Sequence, residues 1–348
     1  MPSVNALLRA AESGNVEGIQ AAVDEGVDIL SIDGAKNTAL HLAAYRGHPE
    51  AVKLLLGSKA DPTLGNENED LPTHLAALGN HVDCINILLN ATLSSYIVDI
   101  NAHDAQGYCA LHYACGEGHT AVARYLLTTS KAETVRRNND GLTPIMCAVQ
   151  QGHKDVTLLL LEHDPGCMTH TNNSGDSCLH YATISQAGVG MIELLLRHGA
   201  DPFAKNNDGL TPLHEAIIEK HADSAQMLKR VMAAMRADSK SMSDATLRRG
   251  VVAALLDAAG GEKVQEKSTC ELPQEDQAPP PTASTKKPRS KFSSTRADNG
   301  MRAKTSIEIA KEEAAAGSLN SGIQGKAPPA KTKSRILTPG SSAAFGGF

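Results

Sequence analysis

The fourteen histidines and seven cysteines are the residues of this chain best suited to chemistry. An imidazole can bind a metal or carry a proton, and a thiolate can attack carbon or join a zinc site. Ten of the histidines, however, fall into two regular series: His41, His74, His112, His180 and His214, and, seven residues after each copy's start, His48, His81, His119, His153 and His221. A series that returns every thirty-odd residues reads as a copied structural part, suited to hydrogen-bonding the backbone between copies. The other four, His103, His163, His170 and His198, lack zinc-ligand spacing with Cys or carboxylates. Cys84, Cys109, Cys115, Cys147, Cys167, Cys178 and Cys270 show no paired spacing and read as small, mostly buried, reduced residues. No nucleophile elbow, phosphate-cradling Gly loop or paired catalytic carboxylate motif is present. The chain is therefore read as non-catalytic, with no cofactor and no metal.

The elements behind the spacing come from the period. Gly107, Gly141, Gly175 and Gly209 are each 34 residues apart. With Met146 in the vacant histidine slot and Leu8 at the head, the copies step by 33, 33, 38, 34, 34 and 34 residues, giving seven. Where the opening block is intact, as at Thr211-Pro212, a Thr able to cap a helix is followed by a Pro suited to its first turn. A small apolar face follows, as in His41-Leu42-Ala43-Ala44, and then a helix-ending Gly47, Gly118 or Gly152, with Asn80 in the third copy and Lys220 a poorer fit in the seventh. A Leu-rich second helix completes the unit. The 38-residue step predicts a protruding loop near 90–98.

The block Leu210-Thr211-Pro212-Leu213-His214-Glu215-Ala216, eroded to Thr38-Ala39-Leu40-His41 and Leu71-Pro72-Thr73-His74 elsewhere, resembles the ankyrin repeat family. The resemblance covers roughly residues 4–232. It implies an all-α solenoid of helix pairs joined by β-hairpin-like turns. The expected divisions are 1–30, an N-terminal capping repeat; 31–232, repeats two to seven; 233–260, a C-terminal capping helical segment; and 261–348, a disordered basic tail.

The net charge of −6 conceals a split: from residue 260 onward there are 14 Lys plus Arg against 9 Asp plus Glu, leaving 19 against 30 before it. An acidic array is a poor ligand for phosphates, so the expected partners are one or more proteins with a basic or mixed surface, without direct nucleic-acid binding by the array. No apolar run long enough to span a membrane and no signal peptide is found, and the protein is read as cytoplasmic and monomeric when alone. Lys286, Lys287, Arg289 and Lys291 form a basic cluster that could serve nuclear localisation or keep the tail solvated.

What the resemblance implies for function is a concave groove of hairpin tips and first helices that grips partners. Mapped onto this chain, its positions include Tyr45, Arg46, Glu67, Asp70, Gln106, Tyr108, Glu117, Asp140, Leu142, Gln150, Gln151, Asp176, Leu210 and Glu219. Tyr45, Tyr108, Leu142 and Leu210 are expected to be partly exposed anchors, although Leu142 and Leu210 could instead pack between hairpins. Reversing the charge of Glu67 and Asp70 together is expected to weaken partner capture without altering thermal stability. The leading reading is a non-catalytic scaffold or adaptor. The alternatives are an inhibitory or assembly-chaperone subunit of an enzyme complex, and a nuclear transcription-complex regulator.

Overall fold

A computed structural model describes residues 3–90, 97–185 and 188–237. Among these are fourteen α-helices in seven antiparallel pairs: α1 Val4–Ser13 with α2 Val16–Asp24, α3 Ala39–Arg46 with α4 Pro49–Gly57, α5 Pro72–Leu78 with α6 Val82–Leu89, α7 Ala110–Gly116 with α8 Thr120–Thr128, α9 Pro144–Gln151 with α10 Lys154–His163, α11 Cys178–Ile184 with α12 Val189–Arg197, and α13 Pro212–Ile218 with α14 Ala222–Ala237. The odd-numbered helices stack on one another as an inner layer and the even-numbered ones as an outer layer. This is the repeat solenoid that the period predicts.

Local chemistry sets each pair. Pro49, Pro72, Pro144 and Pro212 occupy first turns, where a missing N–H costs nothing. Most inner helices end on left-handed residues, among them Gly47 at φ 74°, Asn80 at 64°, Gly118 at 76°, Gly152 at 78° and Lys220 at 63°, whereas α11 ends on the extended Ser185. At Gly47 a side chain would also strike the imidazole of His81 in the next repeat, so conformation and packing both favour glycine there. Apolar residues of both layers, among them Leu40, Leu55, Leu75, Ile85, Leu111, Leu126 and Leu195, form one buried core running the length of the stack. Every repeat thus buries its apolar face only against its neighbours.

The hairpins joining consecutive pairs are short, with isolated antiparallel bridges at Ile32–Thr38 and Thr171–Ser177. Of the protruding loop expected at 90–98, residues 91–96 lie outside the described part, while the adjoining Ile97 is 92% exposed. Residues 238–348, which contain most of the predicted terminal cap and the whole basic tail, also lie outside it.

Candidate protein-interaction face

The two histidine series lace the stack in opposite directions. The first reaches forward: Nε2 of His41, His74, His112 and His180 lies 2.9, 2.9, 3.0 and 3.0 Å from the carbonyls of Asp70, Ala102, Leu142 and Leu210 in the following hairpin. The second reaches back. Nε2 of His48, His81, His119 and His153 meets the carbonyls of Glu12, Tyr45, Leu78 and Gly116 in the preceding inner helix, and Nδ1 of His221 meets Thr183. Each of those carbonyls belongs to a helix end, where no intrahelical partner exists.

In the first series Nδ1 is also committed, accepting the backbone N–H of Thr38, Leu71, Cys109, Ser177 and, from His214, Thr211. A ring that accepts at Nδ1 and donates at Nε2 must be neutral. Burial agrees, pushing the imidazoles of His41 and His112 down to about 4 against the partial compensation of their carbonyl partners, and lowering those of His74 and His180. The cap hydroxyls of Thr38, Ser177 and Thr211 sit 2.9, 2.8 and 3.0 Å from the same Nδ1. The imidazole therefore supplies much of the capping chemistry that the sequence alone assigns to Thr.

Repeat five tests this account, because Met146 replaces the histidine and the buried Thr143 hydroxyl is left with no hydrogen-bond partner. Met146→His should give that hydroxyl a partner and bond the carbonyl of Asp176, stabilising the array by about 1 kcal/mol and raising Tm by ~2–4 °C in calorimetry. A fall in Tm would show that the slot is shaped for methionine.

Chain spacing alone missed a third row. Asp33, Asn66, Asp104, Asn138, Asn172 and Asn206 each accept, on one Oδ1, the backbone N–H groups two and four residues ahead, at 2.7–3.1 Å. They nucleate every hairpin as an Asx turn. Adjacent tips are then tied by main-chain bonds, Glu67 N–H to Ala35 O, Ala105 to Asn68, Asn139 to Gln106, Asn173 to Asp140 and Asn207 to Ser174. The side chains of Asn139, Asn173 and Asn207 add a ladder of amide-to-carbonyl bonds outside them. The recurrence of Asp or Asn three residues before the left-handed tip residue was the available clue.

This geometry sorts the expected groove residues. Arg46, Glu67, Glu117, Asp140 and Glu219 are exposed, and Tyr45, Gln106, Gln150, Gln151 and Asp176 are half-buried. Arg46 is paired with Glu12, and its guanidinium carbon lies 5.7 Å from the Tyr45 ring centre. Asp176 is held by the amides of Asn172 and Asn206 at 3.2 and 2.8 Å.

Four expectations of accessibility are corrected: Asp70 is 1% exposed, Tyr108 7%, Leu142 2% and Leu210 8%. All four stand four residues after an Asx turn residue, where the hairpin strand returns to the core. Their N–H groups bond that Asx oxygen. The carbonyls of Asp70, Leu142 and Leu210 additionally receive the forward histidine. With the backbone fixed at both groups, the side chains face inward.

Asp70 sits in a buried polar junction. The Tyr113 hydroxyl lies 2.8 Å from Asp70 Oδ1 and 2.6 Å from Asp104 Oδ2, and Asn66 Nδ2 bridges Asn37 Oδ1 at 3.0 Å and Asp70 Oδ2 at 3.3 Å. Burial, reinforced by Asp104, raises the Asp70 carboxyl above the usual carboxylate range, against the opposing hydrogen bonds and His74. The thiols are buried too: desolvation pushes Cys84 up to about 11 and Cys167 to about 12, and raises Cys109, Cys115, Cys147 and Cys178. At neutral pH they stay protonated. Among the described residues no group of three or more His, Cys, Asp or Glu side chains could hold a metal ion, and no helix is long and apolar enough to cross a membrane.

Comparison with known proteins accords with this architecture. The family model described as "Ankyrin repeats (3 copies)" matches in overlapping registers at residues 7–99, 41–138, 92–170, 130–206 and 163–239. The nuclear factor NF-kappa-B p105 subunit of Gallus gallus is 30% identical over 234 residues, 65% of this chain and 23% of that protein. The B-cell lymphoma 3 protein homolog of Mus musculus is 28% identical over 184 residues, 52% of this chain and 32% of that protein. The human transient receptor potential cation channel subfamily A member 1 is 27% identical over 206 residues, covering 56% and 18%. The chain thus spans less than a third of the length of these curated relatives. Among solved structures, the ankyrin repeat domain of Bcl-3, titled a unique member of the IkappaB protein family, superposes with a TM-score of 0.54 at 25% identity, covering 64% of this chain and 97% of that one. With the family model matched along most of the chain and helix pairs stacked in the corresponding order, the protein belongs to the ankyrin repeat family.

Proposed function

We propose that this protein is a non-catalytic scaffold or adaptor that holds a protein partner along its hairpin tips and the exposed ends of its inner helices. The observation that carries the reading is a division of labour among side chains. Histidines, Asx residues and small apolar residues are consumed in holding the stack, whereas Glu67 and Asp140 on the hairpin tips and Glu117 and Glu219 at the ends of inner helices stand exposed. Those four carboxylates favour a basic or mixed partner surface and would set encounter rate and specificity more than raw affinity.

The test is quantitative affinity capture from cell extract with the full chain, beside a variant carrying Glu67→Lys, Glu117→Lys, Asp140→Lys and Glu219→Lys. Proteins bound through this face should fall at least about tenfold in the variant, a coupling of ~1.4 kcal/mol, while Tm stays the same. Equal capture by both chains would reject the face.

A second reading, a nuclear regulator of transcription, is favoured by two observations: the basic cluster Lys286, Lys287, Arg289 and Lys291, and the likeness to a protein whose name is nuclear factor NF-kappa-B p105 subunit. Fractionation of the full chain beside a version ending at Gly261 separates the readings. Nuclear signal lost only in the shorter chain supports the second, and identical distributions reject it.

A further inference from the structure

The junction of Asp70, Tyr113 and Asp104 has one hydrogen too few for its geometry if both carboxylates are ionised. A phenol owns a single O–H, yet Tyr113 Oη lies at 2.8 Å from one carboxylate oxygen and 2.6 Å from another. One contact would then set two lone-pair oxygens face to face, with Asp70 1% and Asp104 4% exposed and little water to separate them.

The two carboxyls differ in what donates to them. Asp104 accepts the N–H groups of Gln106 at 2.9 Å and Tyr108 at 2.8 Å on Oδ1, which suits an anion. Asp70 receives only a 3.3 Å amide from Asn66 on Oδ2, and that amide also serves Asn37. The extra proton therefore belongs on Asp70.

We propose that Asp70 is a neutral carboxylic acid donating to Tyr113 Oη, that Tyr113 donates in turn to the Asp104 carboxylate, and that this acid–phenol–carboxylate chain is a pH-operated lock between repeats three and four. Its placement gives it leverage. Asp70 closes the hairpin of repeat three, Asp104 opens that of repeat four, and Tyr113 rises from α7, on either side of the 38-residue step. Loss of one proton to solvent as pH rises leaves two anions against one hydroxyl and loosens the joint, altering the line of the interaction face. The charged and titratable groups around it are imidazoles and carboxylates: His41 from α3, His74 from α5 with its ring 5.8 Å from Tyr113, His112 from α7, His103 beside Asp104, and Glu67 and Glu69 on the neighbouring tip. The Tyr108 ring meets Tyr113 at a tilt, with 5.9 Å between ring centres. Burial lowers His41, His74 and His112, which weakens any counter-charge they could offer, and of the three His74 acts on Asp70 directly.

The sign follows from the raised Asp70 carboxyl: its contribution is complete below the unfolded carboxyl value and is lost as pH climbs through the folded one. The experiment is infrared spectroscopy of the full chain at pH 6, about two units above ordinary carboxyls, with and without ¹³C-aspartate. It is paired with hydrogen exchange at the Gln106 and Tyr108 amides across the pH range. A protonated aspartic acid band that vanishes in Asp70→Asn supports the proposal. So does amide protection, corrected for intrinsic rates, that falls about tenfold for each unit by which the carboxyl is raised in the native chain but stays level in Asp70→Asn, whose amide donates at every pH. Absence of the band, its survival in Asp70→Asn, or equal pH dependence in both chains overturns it.

Discussion

Mild acid should destabilise the array strongly. His41 and His112 are neutral donors and acceptors at once, and burial lowers each to about 4. A group whose folded value is depressed contributes stability that is present above its unfolded value, ~6.5 for His, and lost as pH falls toward the folded one. At pH 5 each of the two accounts for about 2 kcal/mol of lost stability, so the pair removes ~4 kcal/mol from a net stability of order 5–15 kcal/mol. His74, His81 and His180, also lowered by burial, add in the same direction. The raised Asp70 carboxyl opposes this in part, because between its unfolded and folded values the folded chain holds a proton that the unfolded chain releases. Thermal unfolding followed by circular dichroism between pH 7.5 and 4.5 should show Tm falling steeply below about pH 6.5, with calorimetric uptake of about two protons on unfolding near pH 5. A flat Tm across that interval would mean that the histidine lacing is not structural.

The second large effect separates neighbours on one hairpin. Asp70→Lys should destabilise the array by about 3–5 kcal/mol and lower Tm by ~10 °C or more, since it buries an unpaired cation and removes one of the two side-chain partners of Tyr113 and of Asn66 Nδ2. Glu67→Lys, three residues away on an exposed tip, should change stability by less than about 0.5 kcal/mol. Denaturant midpoints of the two full-length variants decide the matter. The double reversal of Glu67 and Asp70 is thereby a test of folding, and partner capture is better addressed through Glu67, Glu117, Asp140 and Glu219. Comparable midpoints for the two variants would contradict the burial of Asp70.

Much of this was legible in the chain. The thirty-odd-residue period identifies the helix pairs, and the two histidine series announce backbone bonding between copies, because only a copied structural need places His41, His74, His112, His180 and His214 in phase. The helix-ending role of Gly47, Asn80, Gly118 and Gly152 follows from residue type. The hairpins were harder. The glycine beat begins at Gly107 because Lys36 and Glu69 occupy the same left-handed slot earlier, at φ 60° and 62°, and side-chain type hides that equivalence. Which tip positions face inward depends on the Asx oxygen that binds two N–H groups at once, a three-dimensional constraint with no hydrophobic signature. Hence Asp70 and Tyr108 read as accessible polar and aromatic groups and are instead core. Leu142 and Leu210 take the packing alternative for the same reason.

The polar junction also explains why an acidic residue survives at a buried position. Asp70, Asn66, Asn37 and Tyr113 are joined across three repeats, so that loss of Asp70 removes a partner from both Asn66 and Tyr113. Glu67 and Asp140 stand exposed on the hairpin tips, outside this junction.

The most direct measurement is hydrogen–deuterium exchange of the full chain with and without a protein it captures. Protection should gather at the tips around residues 67–69, 105–107, 139–141 and 207–209 and at the ends of α7, α9 and α13, with α4, α6, α8 and α10 unchanged. Protection concentrated on those outer helices, with the tips exchanging as in the free chain, would contradict the account.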